Sequence, residues 1–60
     1  MTTNPTEAIL LHNGNFWNLS RIINSQFILE ASFRFHYHNK EQVKRKALQY
    51  AKEKNLIINN

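Results

Sequence analysis

Phe27-Ile28-Leu29-Glu30-Ala31-Ser32-Phe33-Arg34-Phe35-His36-Tyr37-His38 is the stretch on which the fold turns. From Ala31 onward apolar and polar residues alternate strictly. Successive side chains of a strand point to opposite faces, so the alternation predicts a half-buried strand. Ala31, Phe33, Phe35 and Tyr37 are expected inward, and Ser32, Arg34, His36 and His38 outward. Carrying the same parity back adds Phe27 and Leu29 to the inner set and Ile28 and Glu30 to the outer one.

Upstream, two turn signals define the partners of this strand. Asn13-Gly14 separates Ala8-Ile9-Leu10-Leu11 from Phe16, Trp17 and Leu19. Both residues accept the positive φ of a type I′ turn, whose twist matches that of the strands it joins. Asn24-Ser25 is the second candidate turn, between Ser20–Ile23 and the long stretch. As two-residue loops, they set Leu11 opposite Phe16, Leu10 opposite Trp17, Ile22 opposite Phe27 and Phe16 opposite Phe33. One face then collects Ile9, Leu11, Phe16, Ile22, Phe27, Leu29, Ala31, Phe33, Phe35 and Tyr37, and is the expected core. Asn18 and Ser20 fall on it too, and each needs a hydrogen-bond partner if buried.

Downstream, Asn39 with Gln42 three residues later forms a capping-box pattern that opens a helix. Val43, Ala47, Tyr50 and Ala51 recur at helical spacing, with Leu48 at the edge of the stripe. Lys52 and Lys54 suit the negative end of the helix dipole, and Asn55 suits a left-handed cap. Leu56-Ile57-Ile58 is a short apolar tail that either packs back on the sheet or adds an edge strand. The expected fold is α+β: a three-stranded antiparallel sheet packed on one carboxy-terminal helix, in the order β-β-β-α. Residues 1–5 read as a flexible amino-terminal arm and residues 6–58 as a single small domain.

Sixty residues bury only about 60% of the surface that the unfolded chain exposes, so a partner or a second copy adds to a slim margin of stability. Cysteine is absent, which removes disulfides and thiolate metal sites and fits a cytoplasmic location. No run reaches the ~20 apolar residues of a membrane span, and the first residues lack a signal-peptide pattern. Eight Lys and Arg oppose four Glu and no Asp, for a net charge of +4. With no Cys, no Asp, no glycine-rich phosphate loop and no nucleophile–base–orienter set, the chain reads as a non-enzyme without cofactor or small-molecule substrate.

The face opposite the expected core holds Leu10, His12, Trp17, Leu19, Arg21, Ile28, Glu30, Ser32, Arg34, His36 and His38. No second helix is available to cover it. Aromatic and Arg residues concentrate at binding hot spots, so a tryptophan patch flanked by Arg21 and Arg34 is the expected contact surface. The blander alternatives are a Trp17 that closes the core and arginines that sit as solvated edge charges, one pairing with Glu30. His36 and His38 have the His-x-His spacing that lets two imidazoles reach one zinc ion, but no further ligand is evident and Arg34 repels a cation, so no metal is assigned. Six of the eight basic residues, Lys40, Lys44, Arg45, Lys46, Lys52 and Lys54, lie in the helix segment. They form either a solvated face, with a Glu41–Arg45 pair, or an electrostatic footprint for phosphates.

In element order, and in a sheet bearing Arg and Trp over about residues 7 to 54, the chain resembles plant ethylene-response DNA-binding domains and the arm-binding domains of tyrosine integrases. That resemblance implies DNA contact through the open sheet face. With Arg21 and Arg34 beside Trp17 on that face and the helix supplying positive potential, the expected function is nucleic-acid binding through Trp17, Arg21, Arg34, His36, Lys44 and Arg45. The alternative is a small adaptor that binds itself or a protein partner through the Trp17-centred face.

Overall fold

The computed structural model describes residues 4–59. Residues 1–3 of the expected arm lie outside the described residues. The chain runs β1 (Thr6–Asn13), β2 (Phe16–Ile23), β3 (Gln26–Arg34), a single 3-10 turn at Tyr37–Asn39, α1 (Lys40–Glu53) and β4 (Leu56–Ile58). It is a small α+β fold with one helix and a mixed four-stranded sheet in the order β3-β2-β1-β4. The β-β-β-α order holds, and the apolar tail supplies a fourth strand, parallel to β1.

The first hairpin turns one residue later than the sequence suggests. Asn13 pairs with Phe16, so the loop is Gly14-Asn15. Gly14 sits at φ +63° while Asn15 is not in the left-handed region, as in a type II′ turn with glycine first. The second hairpin turns at Asn24-Ser25 as expected, with φ of 52° and 65°, the pattern of type I′. Moving a loop by one residue changes which residues pair but not which share a face. Leu10, now opposite Leu19, still lies on the side of Trp17.

The larger departure is in β3. From the turn to Leu29 the register is the expected one, with Ile22 against Phe27 and Ser20 against Leu29. Beyond it Leu19 pairs with Ala31 and Trp17 with Phe33, which leaves Glu30 as an extra residue on β3. Such a bulge reverses the parity of everything that follows. Phe27 and Leu29 therefore face one way, and Ala31, Phe33 and Phe35 the other. The unbroken inner stripe from Phe27 to Tyr37 does not exist.

The helix covers the face opposite the one expected. Ala8, Leu10, Trp17, Leu19, Phe35, Ala47, Ala51 and Leu56 form the buried core, with Phe33, Val43, Tyr50 and Ile58 packed against it. Of the ten residues expected inside, only Ala31, Phe33 and Phe35 lie on this side, and Tyr37 is 99% exposed. The choice of face follows from chain handedness. Strand β3 runs parallel to β4, so β3-α1-β4 is a crossover over two intervening strands. The Ala8 side chain faces the helix, while its carbonyl accepts from Asn59 N–H at 2.7 Å on the β4 side. For an L-residue that combination makes the crossover right-handed, the hand that twisted strands favour almost without exception.

The helix stripe is the expected one, with alanines at 47 and 51 allowing close approach. Asn39 is the residue before α1, but its side chain caps nothing in that helix. Its Oδ1 accepts from His36 N–H at 2.6 Å and holds the 3-10 turn instead. Asn55 takes the left-handed conformation at φ 59°, and its carbonyl accepts from Thr6 N–H at 3.1 Å, which starts the β1–β4 pairing. Among the described residues no helix is long and apolar enough to cross a membrane.

Candidate interaction surface

Trp17 lies in the core, not on a surface. Its indole Nε1 donates to the Lys40 carbonyl at 3.0 Å, and the ring meets Phe35 and the edge of His12 at 5.7 and 5.6 Å between centroids. Lys40 and Lys44 extend over it, their Nζ atoms 5.6 and 5.4 Å from the ring centre. A cation above an aromatic face is attracted to it, and the lysine stems cover what the helix backbone leaves open. Leu10 and Leu19, expected beside Trp17 on an uncovered face, are buried with it.

Arg21 is on the same side but is engaged. Its Nε is 2.5 Å from Glu30 Oε1, and Tyr50 Oη donates to Glu30 Oε2 at 2.9 Å. The bulge residue is thus tied to both β2 and the helix. The Tyr50 hydrogen bond, with the Arg21 charge beside it, holds the Glu30 carboxyl below its ordinary range against the opposing effect of burial. The same bond, made to an anion, raises the Tyr50 phenol.

The other four predicted contact residues scatter. Arg34 pairs with Phe16 and so projects from the far face of the sheet, away from Trp17 and Arg21, because the bulge intervenes. His36 is exposed and stacks on His38 at 5.9 Å beyond the end of β3. Lys44 lies on Trp17, while Arg45 lines a shallow open depression with Tyr37, His38 and Gln42. His12 is against Trp17, and among the described residues no group of three His, Cys, Asp or Glu could hold a metal ion.

Apart from Ile57 of the tail, the apolar residues of the open face are ones expected to be core. Phe27, Leu29, Leu11, Ile57 and Phe16 are 63, 61, 52, 52 and 43% exposed, and Ile9 and Ile22 are half-buried beside them. For side chains of roughly 170–200 Å² this leaves about 500 Å² of exposed apolar surface on one side of the sheet, near the upper end for a monomer. The apolar side chains border a polar strip of Asn18, Ser20 and Ser32 that reaches the β3 edge of the sheet, and Ser32 Oγ donates to Asn18 Oδ1 at 2.9 Å. By register two charges share the face, Glu7 on β1 and Arg34 on β3, at diagonally opposite corners.

Sequence alternation missed this surface because both faces of the sheet are apolar. The signals that could have found it are the glutamate in mid-strand at position 30 and the parallel pairing of the tail, which with crossover handedness fixes the covered side. A search of protein-family models, of curated proteins and of solved structures finds no match to this chain.

Proposed function

We propose that the chain is a small non-enzymatic binding module that takes a protein partner against the open face of its sheet. The observation that supports this reading is the exposed apolar set of Phe16, Phe27, Leu29, Leu11 and Ile57, on a sheet whose other side already has its helix. Flat apolar surface of this size, with few charges and a polar centre, has the composition of an interface core and not of a phosphate-binding groove. The test is side-chain labelling by hydroxyl radicals in cells that make the chain, compared with the purified protein at sub-micromolar concentration. Phe27 and Phe16 should be protected several-fold in cells. Equal labelling in both settings refutes the reading.

Nucleic-acid binding stands as a second reading, supported by the exposed Arg45, Lys46, Lys52 and Lys54 of the helix segment. It runs through the helix, with Trp17 in a supporting place beneath it. A protein that neutralises roughly four phosphates gives a log K against log salt slope of about −4 on duplex DNA. Arg45→Ala should flatten that slope by about one unit, alike for all sequences. Failure to shift any DNA or RNA at ~50 mM salt, where electrostatic binding is strong, removes this reading.

A further inference from the structure

We infer that the occupant of the open face is a second copy of this chain, packed sheet to sheet about a two-fold axis. The inference rests on that face being the working surface, and it adds the identity of what covers it.

Three features favour self-association. The first is size: two such apolar patches of about 500 Å² can bury up to about 1,000 Å² before any polar atom is counted, the threshold that a specific interface must clear. The second is charge. Arg34 is level with Phe16 at one end of the sheet, and Glu7 is level with Ile22 at the other, on the opposite side of β2. The point midway between them lies on β2 between Asn18 and Ser20. An in-plane two-fold axis through that point, oblique to the strands, sets each copy's Arg34 over the other copy's Glu7 at two corners. The third is the polar centre: the same axis crosses β2 between Asn18 and Ser20, so each copy's Asn18 amide, already accepting from Ser32, comes over the other copy's Ser20. Such a reciprocal polar pair about a two-fold fixes register in an otherwise greasy contact, as buried polar residues do in coiled coils. Growth of the sheet at its β3 edge is disfavoured by the Glu30 bulge, since bulges twist an edge away from pairing.

The experiment is sedimentation equilibrium of the full chain from about 0.1 to 500 μM, where a dimer of this interface size is readily populated. A monomer–dimer equilibrium with a dissociation constant in the micromolar range or below is expected. Phe27→Lys with Leu29→Lys should weaken it at least about 100-fold, since four lysines then enter the interface, with the circular dichroism spectrum unchanged. Glu7→Arg and Arg34→Glu should each weaken it several-fold, and the double reversal in one chain should restore it, a result that loss of folding does not produce. A strict monomer at 500 μM overturns the inference, as does a dimer indifferent to the Phe27/Leu29 pair. In the first case, protection of Phe27 in cells leaves the binding-module reading standing with a different protein as partner. Without such protection both readings fail.

Discussion

The two faces of the sheet are built from similar residues, yet one is the core and the other faces solvent. Leu10, Leu19 and Trp17 lie under the helix, while Leu11, Leu29 and Phe27, of the same chemistry and in the same sheet, lie open. Hydrophobicity by itself therefore does not tell the core from the open face here. What separates the faces is whether a second layer is supplied in cis. One helix of 14 residues can cover only one side.

The comparison is broken most directly by truncating matched leucines. Leu19→Ala should cost about 2–5 kcal/mol, which in a domain this small approaches complete unfolding, whereas Leu29→Ala should cost well under ~1 kcal/mol in dilute solution. Urea unfolding below 1 μM, on the order of the concentration at which weak dimers dissociate, reads the difference. Equal costs would mean that the faces are not distinct in the isolated chain. Trp17→Phe removes the indole bond to the Lys40 carbonyl as well as volume and should cost about 1–3 kcal/mol. Phe27→Leu on the other face should leave the melting temperature near that of the wild type.

A sharper test concerns the bulge that separates the two halves of β3. Because the Glu30 carboxyl is held below its ordinary value of 4.5 in the folded state, its contribution is present above that value and is lost as pH falls through the lowered one. The melting temperature of the wild type should therefore drop as pH is taken below about 4.5, and Glu30→Gln should be flatter over the same window. An unchanged acid limb in the variant would show that the Arg21–Glu30–Tyr50 linkage does not hold the bulge. The smallest effect expected is at the second turn, which belongs to neither face. Ser25→Gly relieves a left-handed non-glycine residue and should stabilise the fold by up to about 1 kcal/mol without changing self-association. Thermal unfolding alongside sedimentation separates the two quantities.

Much of this architecture can be read locally. The turn at Asn24-Ser25, the helix stripe through Val43, Ala47, Tyr50 and Ala51, and the left-handed Asn55 all follow from backbone preferences acting over a few residues. So does the grouping of Leu10 with Trp17 and Leu19, and of Leu11 with Phe16, because parity survives the one-residue shift of the first turn. Arg34 is the residue for which local reading fails most consequentially. Its side depends on a bulge four residues upstream, and that bulge is stabilised by a tyrosine from the helix.

What the sequence determined by itself is the first three strands, the helix and the division of β1 and β2 into two apolar faces, since these depend on periodicity and turn chemistry along the chain. Which face became the core was decided only in three dimensions. The tail pairs beside β1, a right-handed crossover then has one side on which to place its helix, and the Glu30 bulge passes Phe33 and Phe35 to that side. Phe27 and Leu29 remain on the other side, on the face that the helix leaves open.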